Sequence, residues 1–300
     1  MMADNKGGFS VHLQEELKKY GDIMVPVKAG LPERLLVKKA LVSKLHPNPD
    51  DEFCWPEVGP SSSIINKYIS LYKQYGAMYR PEDLGQEPLM VEKVHPDGYM
   101  LLNGHHRWAA YWTLGVKLVP VSIVNLTQET DIEQMIRESK HDRRATLDLD
   151  EVVFCRGDEP AEKMRSSRFG RKYKEKLRLG IPRILHTLSK QGYDIWVYTA
   201  KYYSMDDIRD LFKQYTVKVD GIITGTGRKT KGQTESKKRV EHLFAEKYVQ
   251  TLHIDRDMVL RTFADTKDFE DYPVGGSGAD WARAVLAVLR EMEKNGTTGS

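Results

Sequence analysis

Three hundred residues are enough for two domains of ordinary size, and a 40% hydrophobic fraction is enough to give each a core. A formal net charge of +3, from 46 basic and 43 acidic side chains, excludes a general nucleic-acid binder, so any attraction for anions must be local. Two cysteines, Cys54 and Cys155, exclude a disulfide framework; no apolar run reaches bilayer length, and the polar start lacks the apolar core of a signal peptide, so a cytoplasmic protein with no membrane partner is expected.

In chain order, Leu13, Leu17 and Tyr20 stand at helical spacing and predict a short amphipathic helix within Val11–Tyr20, part of an arm over residues 1–22. Ile23–Val27 and Leu35–Leu45 read as extended segments, closed by the loop His46-Pro47-Asn48-Pro49-Asp50-Asp51. Ser61, Ser62 and Ser63 offer N-caps to a helix over Ile64–Tyr75. Pro88–Val94 and Tyr99–Asn103 flank the hairpin turn His95-Pro96-Asp97-Gly98. The second of these strands ends at Asn103-Gly104-His105-His106-Arg107-Trp108, which opens a helix through Leu114, before a strand over Leu118–Val124.

A glycine at a strand-to-helix junction lets backbone approach a ligand, the helix start supplies free N–H groups, and Arg107 supplies a planar fork for phosphate. The same residues also fit a tight turn with packing histidines. Motif and element order together, over roughly residues 35–126, resemble the ParB/sulfiredoxin superfamily, a nucleotide-binding fold that hydrolyses or transfers phosphate from ATP or CTP through a G-x-x-R motif. That resemblance implies phosphate contacts from Gly104, His105, His106 and Arg107. Sulfiredoxins carry their reactive cysteine where this chain has His105, which argues against sulfinic acid reduction. Partition proteins continue into a helix-turn-helix and a dimerisation domain, whereas the next folded unit of this chain begins with Asp148. In a free-amino-acid kinase of this superfamily, Asp50, Asp51 or Glu52 would serve as base.

Ile132, Met135 and Ile136 predict a connecting helix within residues 129–144, and His141-Asp142-Arg143-Arg144 marks a boundary. Next comes Ala145-Thr146-Leu147-Asp148-Leu149-Asp150-Glu151-Val152, an apolar strand ending in two carboxylates. Period-two geometry puts Asp148 and Asp150 on one side as the chain leaves the sheet, at the edge where open α/β sheets bind ligands. Eight basic residues from Lys163 to Arg178, against Glu175 alone, form a basic run that could receive an anion or simply face solvent. A helix over Pro182–Gln191, the strand Tyr193–Thr199, a helix over Ile208–Tyr215, a strand within Asp220–Gly225, a basic loop over Thr226–Lys238, a helix over Val240–Tyr248 and a strand leading to Asp255-Arg256-Asp257 complete the pattern.

The D-x-D-x-V run resembles the first motif of the haloacid dehalogenase-like (HAD) phosphohydrolases, and the later strand ends follow that family's order from Ala145 to about Lys294. The resemblance implies that Asp148 forms an aspartyl-phosphate, Asp150 acts as general acid and base, and Thr199 hydrogen-bonds the phosphoryl group. A lysine at the head of the helix before the fourth motif neutralises charge; Lys237 and Lys238 both stand there, and Lys238 is favoured. Mg²⁺ would be held by Asp148, Asp150 through its carbonyl, and Asp255, with Asp257 assisting.

The fold class expected is α/β: an N-terminal ParB/sulfiredoxin-like α+β domain over residues 23–128, then a Rossmannoid HAD-like parallel sheet over 145–294 with little or no cap, and a tail over 295–300. The function expected is a Mg²⁺-dependent phosphohydrolase or phosphotransferase acting on a phosphorylated substrate, with a module that binds ATP or CTP and itself hydrolyses the nucleotide or transfers its phosphate. The alternatives are a nucleotide- or nucleic-acid-binding protein whose second domain is scaffold, and a bifunctional kinase-phosphatase.

Overall fold

The computed structural model describes residues 6–80, 88–164, 175–227, 233–264, 266, 268–276 and 278–297; the middle of the basic run, 165–174, lies outside them. The chain divides into two compact units between Asn125 and Leu126. Among the described residues, no helix is long and apolar enough to cross a membrane.

The first unit contains helix α1 (Lys6–Tyr20), strand β1 (Val25–Pro26), helix α2 (Leu31–Leu36), strands β2 (Lys39–Leu41) and β3 (Leu45–His46), helix α3 (Ser62–Tyr75), strands β4 (Leu89–His95) and β5 (Tyr99–Asn103), helix α4 (His105–Thr113) and strand β6 (Leu118–Ile123). Its sheet runs β2-β6-β4-β5-β3, with β1 paired to β4. Strand β4 is antiparallel to β5 and parallel to β6, which makes this a mixed α+β sheet. Alternate residues of β4 and β5, among them Leu89, Val91 and Leu101, pack on Trp108 and Ala109 of α4.

Two expectations change here. Leu35 and Leu36, expected at the start of an extended segment, instead close the helix Leu31–Leu36, whose start is favoured because Pro32 sits in the first turn, where its fixed φ and missing N–H cost nothing. The N-terminal helix is not a free arm, since Phe9 and Leu13 bury in the first core and Phe9 meets Trp108 edge-on at 5.4 Å.

The second unit contains helix α5 (Glu129–Glu138), strand β7 (Arg143–Asp148), helix α6 (Ile181–Lys190), strand β8 (Tyr193–Tyr198), helix α7 (Met205–Gln214), strand β9 (Gly221–Ile223), helix α8 (Gln233–Lys247), strands β10 (Gln250–Ile254), β11 (Met258–Phe263) and β12 (Phe269–Pro273), and helix α9 (Ala279–Thr297). Its sheet runs β12-β11-β10-β7-β8-β9, with the four strands from β10 to β9 parallel and β11 and β12 antiparallel. On one face, Ile195 and Val197 of β8 join Ile184, Leu188, Leu211 and Val285 from α6, α7 and α9. On the other, Trp196 packs with Ile132 and Met135 of α5 and Phe244 of α8. Burial on both faces is why β8 reads as a near-continuous apolar run. Each fully buried Leu, Ile or Val side chain contributes about 1.5–3 kcal/mol to this sandwich.

Helix α5 is therefore a layer of the second unit and not a bare connector. Helix α8 begins at Gln233, so Lys237 and Lys238 lie inside it rather than at its head. Strand β7 ends at Asp148, and Leu149–Val153 forms a single π turn instead of continuing the strand. After that turn the chain returns beside itself through bridges at Phe154–Leu177 and Ala161–Arg178. The final helix continues to Thr297, and 298–300 lie outside the described residues.

Candidate functional site

In the second unit the strand ends supply the geometry. Asp148 pairs with Tyr198 across β7 and β8, and Asp255 follows Ile254, which pairs with Leu147 across β10 and β7. Asp255, Asp148 and Tyr198 thus occupy one row at the carboxyl edge of three adjacent parallel strands. Asp148 Oδ1 accepts hydrogen bonds from the amides of Asp150 (2.8 Å) and Glu151 (2.7 Å), which are the free donors at the start of the π turn. Burial pushes the Asp148 carboxyl above the ordinary aspartate range, against the pull of those two amides.

Asp150, two residues on and within the π turn, has different company. Thr199 Oγ1 donates to its Oδ2 at 2.5 Å, Lys201 Nζ pairs with its Oδ1 at 2.6 Å, and the Tyr203 hydroxyl reaches Oδ1 at 3.4 Å. The hydrogen bond to Asp150 raises the Lys201 pKa, so the ammonium persists at neutral pH. The two neighbouring carboxylates thus stand in unlike surroundings, one on backbone amides and the other on a threonine hydroxyl and a lysine ammonium.

Thr199 therefore stands where the sequence placed it, at the end of β8 and fully buried. Lys238 lies exposed on α8, and among the described residues it makes no ion pair with Asp148 or Asp150; Lys237 instead faces Glu241 at 3.9 Å. Among the described residues, the cation paired with the Asp150 carboxylate is Lys201, which the sequence reading missed. Its signal was there: in Thr199-Ala200-Lys201 the lysine follows the threonine by two residues, the spacing that returns a side chain to the same side of an extended chain. Tyr198, beside Asp148, and Tyr203 were also missed. Asp257 lies exposed in the tight turn from β10 to β11, where the Asp255 amide donates to the Met258 carbonyl at 2.8 Å.

The donors assigned to magnesium are all oxygens, as that ion prefers: two carboxylates at adjacent strand ends and the Asp150 carbonyl. Arg156 Nε donates to that carbonyl at 3.0 Å and uses one of its two lone pairs. Among the described residues no three His, Cys, Asp or Glu side chains gather into a metal site by themselves. The set fits an ion that keeps several waters and takes one or two carboxylates.

In the first unit, Gly104 caps α4 at φ +98°, ψ 23°, in the left-handed region. A Cβ there would stand 2.5 Å from Leu89 Cδ2 and 3.0 Å from Arg107 Nη2, so the Arg107 guanidinium folds back over the glycine. The two histidines face the loop instead. The Asn48 amide donates to His105 Nε2 at 3.3 Å, and the Ser61 amide donates to His106 Nε2 at 3.2 Å. His105 is buried, with Nδ1 3.7 Å from Asp51, and burial pushes its pKa down to about 4; burial lowers that of His106 as well. Both rings are neutral acceptors that pin the 48–61 loop. Of the groups expected to meet phosphate at this junction, the first amides of α4 and Arg107 are the ones that do not hold the 48–61 loop in these two hydrogen bonds. Asp51 accepts from the Phe53 amide at 3.0 Å and faces His105.

Residues 82–140 match the family model of the ParB N-terminal domain. No curated protein matches the chain. The match spans β4, β5, α4, β6 and α5, and so includes Gly104 to Arg107. It falls mostly on the half of the chain whose motif resembled the ParB/sulfiredoxin superfamily, and it reaches into the second unit only through α5.

Proposed function

We propose that the second unit is a phosphomonoester hydrolase working through an aspartyl-phosphate on Asp148. The observation that carries this reading is the pair of carboxylates at the end of the central strand, one half-buried on two backbone amides and the other held by Thr199 and Lys201. With Oδ1 anchored, Asp148 Oδ2 attacks phosphorus in line, and the bond from phosphorus to the leaving oxygen breaks. Asp150 gives that oxygen a proton and then takes one from water. The water oxygen attacks the acyl phosphate, the bond from phosphorus to Asp148 breaks, and inorganic phosphate leaves. Lys201 and Thr199 stand beside Asp150 to balance charge on the transferring group. Mg²⁺, held by Asp148, Asp255 and the Asp150 carbonyl, would supply Lewis-acid stabilisation of the phosphoryl oxygens.

For the first unit the match to the ParB N-terminal domain supports nucleotide or nucleic-acid binding, with Gly104 and Arg107 at the phosphates and ATP or CTP as the ligand class. Whether that unit also turns its nucleotide over, as a kinase-phosphatase would require, is a matter for the same assay. Phosphate release is measured from sugar phosphates, nucleotides, phospho-amino acids and end-phosphorylated oligonucleotides, with and without Mg²⁺. Mg²⁺-dependent release from at least one phosphomonoester is expected. Salt-dependent oligonucleotide binding with no release from any substrate would leave the binding reading in its place.

A further inference from the structure

Beside the carboxylate pair lies a charged assembly with no part in the chemistry above. Glu159 Oε1 meets Arg256 Nη1 at 3.0 Å and Arg178 Nη2 at 3.3 Å, while its Oε2 accepts from the Arg156 amide at 2.9 Å. Both guanidiniums then converge on one acceptor, the Glu151 carbonyl, with Arg256 Nε at 2.5 Å and Arg178 Nη2 at 3.4 Å. Glu151 is the residue after Asp150, in the turn whose amides hold Asp148. On its other side, the Arg256 amide donates to Asp255 Oδ1 at 2.7 Å. Arg178 is 3% exposed and lies 4.7 Å over the Trp281 ring, so its charge is buried and depends on Glu159 for compensation.

We propose that Glu159 is a positioning residue for the magnesium site, fixing the distance between the Asp148–Asp150 turn and the strand end that carries Asp255. The inference rests on the phosphohydrolase reading. The physical argument is connectivity. One carboxylate orients two planar forks, and one of those forks bridges the nucleophile's turn to the residue next to Asp255. The pairing of β7 with β10 sets the strand ends in one row, and the bridge adds a second tie that holds the turn carrying the Asp150 carbonyl against the residue next to Asp255. A divalent ion that demands near-ideal octahedral geometry is sensitive to the loss of that tie. Glu159 and Arg178 lie on the return after the π turn and Arg256 on the turn from β10 to β11, so the device ties that return to the sheet edge.

The test uses the full-length protein and direct calorimetric titration with Mg²⁺, alongside phosphate release. Glu159→Gln keeps the volume and loses the charge, and Mg²⁺ affinity should fall about 10- to 100-fold, the range typical of groups that orient metal ligands. Because that substitution also leaves Arg178 buried without its counter-charge, Arg256→Met provides a second variant that separates loss of positioning from loss of fold. Arg256 is 34% exposed, and its loss leaves the Glu159–Arg178 pair in place. The same fall in Mg²⁺ affinity is expected there, and Arg256→Lys, which keeps charge but cannot span both acceptors, should not restore it. Parental Mg²⁺ affinity in Arg256→Met, in a protein that still turns over substrate, would overturn the proposal alone. A parent that neither binds Mg²⁺ nor releases phosphate would overturn the phosphohydrolase reading, and this inference with it.

Discussion

Asp148 is held in conflict: two amides favour its charge and burial disfavours it, and burial wins. Its folded pKa therefore lies above the unfolded value near ~4. Between the two values the folded state binds more protons than the unfolded state, so stability falls as pH rises through that window and stays lower above it. Asp148→Asn removes the titration and keeps the volume. The variant should melt higher than the parent at pH 7, with the difference closing as pH drops below the unfolded value. Thermal unfolding followed across the acid range reads this directly; a variant that melts lower at every pH would mean that the amide contacts outweigh burial. The aspartates were legible in the sequence because their spacing and strand context are local. Lys201 was missed although its spacing from Thr199 offered a signal, because the choice of the cation that meets Asp150 is made by the packing of β8 against β7, and Lys238 had an equal claim in one dimension.

Among the elements, the junction from β5 to α4 is the most constrained by its backbone. Gly104→Ala would place a methyl 2.5 Å from Leu89 Cδ2 at a φ of +98°. Strain of this kind costs roughly 1–3 kcal/mol, and the Arg107 fork, 3.0 Å away, would be displaced as well. Denaturant titration should show a lower midpoint with an unchanged slope; equal midpoints would mean that the turn accommodates a side chain. The parallel strands β7, β8 and β10 and the helix pattern between them were readable from apolar runs. The hairpin of β11 and β12 was not, because both strands carry charged and aromatic residues in partial exposure, such as Arg261 paired with Glu270, and lack a clean buried face. The π turn was hidden for a related reason. Leu149, Val152 and Val153 are apolar whether the chain runs on as strand or coils, and only the amides reaching back to Asp148 decide between the two.

At the scale of the molecule, each unit has its own core and its own candidate site; the sequence marked the boundary at His141–Arg144 with a connecting helix before it, whereas the chain divides between Asn125 and Leu126 and that helix packs in the second unit. The loop over Asn48–Ser61 belongs to the first site through His105 and His106, a pairing across more than forty residues that spacing could not disclose. Burial keeps His105 neutral in the folded state, whereas its unfolded pKa is near ~6.5; the unfolded state gains protons first as pH falls, and this group costs the first unit stability from about pH 6.5 down to about 4. Separate sites predict separable functions. Arg107→Ala should weaken ATP or CTP binding about ten- to a hundredfold, the loss of one charge-assisted hydrogen bond, without changing hydrolysis of a small phosphomonoester. Calorimetric titration with both nucleotides, paired with the phosphate-release assay, checks both halves; a parallel fall in the two would show that the sites are coupled.

The central claim is that Asp148 becomes phosphorylated during turnover, and trapping that species tests it most directly. The protein is mixed with a hydrolysed phosphomonoester and Mg²⁺, quenched in acid, and its peptides are weighed. A phosphoryl adduct on the peptide carrying Asp148, accumulating in Asp150→Asn as the second step slows and absent from Asp148→Asn, is the result predicted. Turnover in the parent with no adduct on that peptide, together with undiminished phosphate release by Asp148→Asn, would contradict it.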